Sequence, residues 1–152
     1  MGDPEASPFG GSSLNFIDSS VFLFAFLIPR GDPPADIRGY KVCAKEILRR
    51  VHEGERVMTS TAHISEIANI LESRFSLNEA RRTVSDLILL DTVEIAAVDR
   101  LRYEAAVSVS EKHRLGLNDS VAYSMMRENG IKCIYSYDKD FDGLPGIERL
   151  TD

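Results

Sequence analysis

The chain has 152 residues, of which 43% are hydrophobic and 28% are charged, and its net charge is −6. This length suits one domain with a substantial core, and the composition argues against disorder. The acidic balance disfavours a protein that coats nucleic acid through a broad basic surface. Two cysteines, Cys43 and Cys133, lack the spacing of a zinc or disulfide motif, which favours a cytoplasmic protein.

The start of the chain differs in composition from the rest. Residues 1–13 are rich in Gly, Pro and Ser and predict a flexible tail or an expression remnant, so that the domain itself is expected over 14–152. The longest apolar run, residues 21–28, is far shorter than the roughly 20 residues needed to span a bilayer. No signal peptide pattern precedes it. We therefore expect no membrane partner.

The first half of the chain predicts strands that alternate with helices. Residues 14–17 form a short β-branched and aromatic run, and a turn at Ser19 and Ser20 separates it from a helix over 21–27. An amphipathic helix is predicted over 37–52 and a strand over 56–59. Ser60 or Thr61 would then cap a helix that ends near residue 73.

The second half continues the same alternation. Ser76 and Glu79 have capping-box spacing and predict a helix that ends near residue 91, followed by a strand over 93–98. Asp99 and Asn118 are predicted caps of helices that end near residues 115 and 129, with Gly130 closing the second in the left-handed conformation. A last strand is predicted over 132–136. This order predicts an α/β fold with a central, mainly parallel β-sheet and helices on both faces.

Four acidic residues occupy positions that converge in such a fold. Asp18 and Asp138 follow predicted strands, and Asp119 and Glu66 lie in helices that follow turns. Ligands bind at the carboxyl ends of parallel strands, so these acids are candidates for one site. Oxygen donors alone suit Mg²⁺ or Mn²⁺, ions that bridge to phosphates. The alternatives are a helix-dipole charge for Asp119 and a solvated helix residue for Glu66.

Four segments carry a family resemblance. They are FIDSSVFL at 16–23, SEI at 65–67, GLNDSVA at 116–122 and IYSYDKDF at 134–141. In this order they resemble the acidic motifs of PIN-domain ribonucleases, most closely those of VapC-type toxins. The resemblance implies a PIN-like α/β/α sandwich. It also implies that four acids are both catalytic and metal-binding, namely Asp18, Glu66, Asp119 and Asp138. The supporting residues that it implies are Ser20, Ser136 and Asp140.

The resemblance also implies a function. It predicts an Mg²⁺- or Mn²⁺-dependent endoribonuclease that hydrolyses RNA and forms a homodimer. The toxin of a toxin–antitoxin pair, with an antitoxin as its protein partner, is one such role. An RNA-processing nuclease without an antitoxin and a non-catalytic scaffold that binds a partner stay open as alternatives. A phosphoacceptor signalling domain is disfavoured because no Asp follows the predicted strand that ends at Thr59. His63 and Asp142 are interpreted as a structural residue and a turn residue.

Overall fold

The computed structural model describes residues 14–27, 31 and 34–152, so the predicted tail over 1–13 lies outside the described part. The strands are β1 (Asn15–Ile17), β2 (Val57–Ser60), β3 (Val93–Ala96), β4 (Cys133–Tyr135) and β5 (Glu148–Leu150). The helices are α1 (Ser19–Phe26), α2 (Ala35–His52), α3 (Thr61–Arg74), α4 (Leu77–Ile88), α5 (Arg100–His113), α6 (Leu117–Glu128) and a short 3-10 helix (Lys139–Phe141).

All five strands belong to one parallel sheet with the order β3-β2-β1-β4-β5. In β1, Phe16 lies opposite Met58 of β2 on one side and Ile134 of β4 on the other. The chain first builds the sheet outward from β1 through β2 and β3, and later returns to add β4 and β5 on the other side. A crevice opens at such a switch point, beyond the carboxyl ends of the strands. The predicted fold class is confirmed.

The sheet separates two hydrophobic clusters. Successive side chains of a strand point to opposite faces, and the β1 residues Ile17 and Phe16 accordingly belong to different clusters. The Ile17 cluster includes buried residues of α1 to α4, and the Phe16 cluster includes buried residues of α5 and α6. Both side chains are fully buried, and each burial contributes about 1.5–3 kcal/mol to stability. This burial holds β1 in place at the centre of the fold.

Several element boundaries differ from the prediction. Helix α1 begins at Ser19, two residues earlier than predicted, because the Asp18 side chain caps it by accepting from the backbone N–H of Ser20. Helix α6 has Gly116 as its N-cap, whereas the predicted cap, Asn118, lies inside its first turn. Strand β5 was not predicted. Gly130 follows α6 with φ of 65°, as the sequence indicates.

Helix α4 and strand β3 also end earlier than predicted, at Ile88 and Ala96. Among the described residues, no helix combines the length and the apolar character needed to cross a membrane.

Candidate active site

The predicted acids lie around the crevice next to β1. Asp18 directly follows β1, and Asp138 lies just beyond β4 as the N-cap of the 3-10 helix. Glu66 is in α3, and Asp119 is in the first turn of α6. Two acids therefore come from strand ends and two from helices that begin at the same edge of the sheet.

Asp18 is 5% exposed, and two serine hydroxyls hold its carboxylate. Ser20 Oγ donates to Asp18 Oδ2 at 2.7 Å, and Ser136 Oγ donates to the same oxygen at 2.9 Å. Each hydroxyl also accepts a backbone N–H from the loop after β4, from Tyr137 to Ser20 at 3.1 Å and from Asp138 to Ser136 at 3.0 Å. The end of β1 is thus tied to the loop that carries Asp138, and both predicted supporting serines contact Asp18.

Glu66 is held by two residues that sequence reasoning did not place in the site. Ser19 Oγ donates to Glu66 Oε2 at 2.8 Å, and Asn118 Nδ2 donates to the same oxygen at 3.4 Å. Glu66 is only partly exposed, so the interpretation as a freely solvated helix residue does not fit it. The sequence signal for Ser19 was its position next to Asp18, and Asn118 was interpreted as a helix cap.

The remaining acids form a tight group. Asp119, Asp138 and Asp140 each offer one carboxylate oxygen, and these atoms all lie within 4.8 Å of one another. A Cβ atom at Gly116 would lie 3.3 Å from Asp119 Oδ2, so glycine at the N-cap leaves room for this carboxylate. The predicted supporting residue Asp140 therefore lies beside two of the predicted metal-binding acids.

Asp119 is close enough to the other four carboxylates for their charges to affect its pKa. Burial raises the pKa of Asp119 to about 7, with further contributions from the negative charges of Asp18, Asp138, Asp140 and Glu66. Like charges in a partly dry site disfavour ionisation, and a bound cation would relieve their repulsion. Carboxylate oxygens without sulfur ligands are the donors that Mg²⁺ and Mn²⁺ prefer. The donor set therefore fits a hard divalent cation.

His63 lies beneath this site and is fully buried. Its Nδ1 is 2.7 Å from Ser60 Oγ, and its Nε2 is 3.6 Å from Asp18 Oδ1. Burial lowers the pKa of His63, which favours the neutral ring at neutral pH. The structure therefore places next to Asp18 a histidine that the sequence analysis interprets as a structural residue.

Asp142 lies outside the acidic group. Its two carboxylate oxygens accept from Arg149 at 2.7 and 2.9 Å, and Arg149 also donates to the backbone carbonyl of Ser136 at 3.2 Å. The pair links β5 to the loop that carries Asp138. Asp142 thus supports the loop around the site, consistent with its interpretation as a turn residue.

Comparison with known proteins identifies the family. The family described as PIN domain matches residues 16–147, so the chain belongs to the PIN-domain family. No curated protein matches the sequence.

Solved structures share the fold. The toxin VapC20 of Mycobacterium tuberculosis, described as cleaving the sarcin-ricin loop, has a TM-score of 0.69 at 23% identity, covering 88% of this chain and 96% of that one. A toxin–antitoxin complex of Klebsiella pneumoniae gives 0.61 at 16% identity, covering 91% and 98%. VapBC2 of Rickettsia felis, bound to a promoter DNA fragment, gives 0.60 at 13% identity, covering 90% and 97%.

Proposed function

We propose that this protein is a divalent-metal-dependent endoribonuclease. The observation that carries the proposal is the convergence of five carboxylates at the carboxyl edge of the sheet, beside the central strand. Membership of the PIN-domain family, whose members are nucleases, supports the same conclusion. The substrate is then a phosphodiester, because a hard cation in an acidic pocket attracts phosphate oxygens.

The acids have separate structural tasks in this proposal. Asp119, Asp138 and Asp140 would hold a cation through the oxygens that already lie close together, and Asp18 and Glu66 would complete the site from β1 and α3. A divalent cation there supplies activation of a water molecule and neutralisation of charge on the scissile phosphate.

The surrounding polar groups keep the acids in position. The hydroxyls of Ser20 and Ser136 fix one oxygen of Asp18, and Ser19 fixes one oxygen of Glu66. Because these donors are themselves anchored on α1 and on the loop after β4, the carboxylates are oriented before any ligand arrives. Preorganised charge of this kind lowers the free energy needed to reach the transition state.

The proposed partners follow from the same site and from the structural neighbours. RNA is the proposed substrate, and the neighbours described as toxins favour a toxin role with an antitoxin as the protein partner, in the cytoplasm.

We also propose a homodimer. On α5, Leu101 is 71% and Val107 46% exposed, which leaves apolar surface available for a second copy. Light scattering at micromolar concentration should give the mass of a dimer, and a monomer throughout would remove this part of the proposal.

Asp119→Asn tests the nuclease. The substitution keeps size and removes one charged oxygen, so Mg²⁺- or Mn²⁺-dependent cleavage of a mixed RNA pool should collapse while the fold persists. Asp36→Asn is the matched control, because Asp36 is also an acid in the first turn of a helix, α2, and is exposed. If Asp119 serves only the helix dipole, worth about 0.3–1 kcal/mol, both variants should cleave like the wild type. That result would remove Asp119 from the site, whereas a folded wild type that cleaves no RNA would favour a non-catalytic scaffold.

A further inference from the structure

One buried polar atom next to the site has no hydrogen-bond partner. Nε2 of His63 is fully enclosed, and it forms no hydrogen bond with any group in the described part of the chain. Asp18 Oδ1 lies 3.6 Å from it, slightly too far for a hydrogen bond. A buried polar atom left in this way calls for an explanation, because nearly all such atoms are paired.

The opposite side of the ring defines which nitrogen carries the proton. Ser60 is fully buried, and its Oγ accepts the backbone N–H of His63 at 3.4 Å. The same Oγ lies 2.7 Å from His63 Nδ1. If the hydroxyl donates to Nδ1, Ser60 both accepts and donates. If Nδ1 carries the proton, the hydroxyl hydrogen has no acceptor among the described residues. The pairing with Ser60 therefore places the ring proton on Nε2, facing Asp18.

The carboxylate of Asp18 gives a second reason for this tautomer. A ring lone pair directed at Oδ1 would repel the carboxylate, whereas an N–H dipole directed at it is attractive even at 3.6 Å. The other oxygen, Oδ2, already accepts from Ser20 and Ser136. Ser19 lies 3.4 Å from Oδ1 but has only one hydroxyl hydrogen, and its shorter contact is with Glu66 at 2.8 Å. Oδ1 is thus the less strongly held oxygen.

We propose that His63 is a positioning residue, which uses Nε2–H to orient the Asp18 carboxylate for cation binding. This inference rests on the proposed metal-dependent function. Ser60, the N-cap of α3, sets the orientation of the ring. The ring is fully buried and packs edge-on against Phe16 of the central strand, with 5.3 Å between the ring centroids. The arrangement matches the general pattern in which a group behind a ligand fixes its orientation and tunes its affinity for metal.

The first test reads the proton directly. Long-range ¹H–¹⁵N spectra of the full chain report the tautomer of each histidine, and the chain has only three, with exposed His52 and partly buried His113 as internal references. We expect His63 to carry its proton on Nε2, both in EDTA and after addition of Mg²⁺. A proton on Nδ1 would overturn the proposal, and so would loss of the Nε2 proton on Mg²⁺ addition, because His63 would then be a ligand.

The second test measures Mn²⁺ affinity by titration calorimetry at fixed pH. In His63→Gln, the amide can place a donor near the position of Nε2, and the affinity should stay near that of the wild type. His63→Asn is shorter and keeps only a polar group near Ser60, so the affinity should fall by about 10-fold or more. Equal affinity of His63→Asn and wild type, with both folded by thermal melts, would overturn the proposal. If either variant fails to fold, the tautomer of His63 measured in the wild type still tests the proposal.

The two proposals fail in different ways. If the wild type cleaves RNA and His63→Asn binds Mn²⁺ and cleaves equally well, only the role of His63 is wrong. If Mn²⁺ binding depends on His63 as described but no RNA is cleaved, the positioning role stands and the nuclease assignment is wrong.

Discussion

Asp119→Asn should make the metal-free protein more stable at pH 8, although it removes a proposed ligand. Burial and the neighbouring carboxylates raise the pKa of Asp119 in the folded protein to about 7, from an ordinary value of 3.8. The folded state therefore favours the protonated form. The stability that this form contributes is fully present below pH 3.8 and is lost as the pH rises through about 7. At pH 8 the ionised carboxylate destabilises the folded state, and an amide does not.

The size of this effect follows from the same difference in pKa. A change from 3.8 to about 7 corresponds to about 4 kcal/mol at roughly 1.36 kcal/mol per pKa unit. Asp119 is partly exposed, so solvent screening reduces the usable part to about 2 kcal/mol. The lost attraction to the N-terminus of α6 subtracts about 0.3–1 kcal/mol. The net gain is about 1–2 kcal/mol, or about 2–8 °C in Tm for a chain of this length.

Urea unfolding in EDTA at pH 8 and at pH 3.5 measures the gain. We expect Asp119→Asn to exceed the wild type at pH 8 and to match it at pH 3.5, where both side chains are neutral. Added Mn²⁺ should stabilise the wild type more than the variant, because ligands that bind only the folded state add to its stability. An equal gain at both pH values would refute the electrostatic reasoning, as would a variant no more stable than wild type at pH 8.

Three further substitutions test the fold and the loop around the site. Phe141→Ala, at a fully buried position, should lower the free energy of unfolding by about 3–5 kcal/mol in urea titrations, and a loss below 1 kcal/mol would contradict the packing. Ser76→Ala removes the capping box of α4 and should cost about 1 kcal/mol in thermal melts without changing RNA cleavage. Arg149→Ala removes the pair with Asp142 and should weaken Mn²⁺ binding by about 10-fold in calorimetry, whereas exposed Arg49→Ala should not; equal affinities would exclude this support of the loop.

Local signals in the sequence predicted most helices correctly. The capping box of Ser76 and Glu79 forms as expected, and Asp99 caps α5 by accepting from the backbone N–H of Arg102. These features depend on residues three positions apart, so the sequence displays them directly. The start of α6 was misplaced because Asn118, a good cap by type, instead turns its amide toward Glu66.

Features that depend on distant partners were harder to predict. Strand β5 has three residues, including Glu148 and Arg149, and its strand character comes from pairing with β4. His63 resembles an ordinary core histidine until the fold brings it 3.6 Å from Asp18. Asp18, Asp119 and Asp138 stand at strand ends or a helix start, which the sequence displays. Ser19 and Asn118, which hold Glu66, were not predicted because their contacts span 47 and 52 residues.

The order of the strands also determines when the acidic pocket can exist during synthesis. Ser136 holds Asp18 from a position 118 residues later in the chain, and β4, which precedes it, is the direct neighbour of β1. A ribosome-bound chain that has emerged only as far as α5 contains Asp18 and Glu66 but lacks Asp119 and Asp138. Neither half of the chain can assemble the site. A nascent RNA-cleaving enzyme of this topology would therefore stay inert beside the RNA of its own ribosome until its C-terminal strands had emerged.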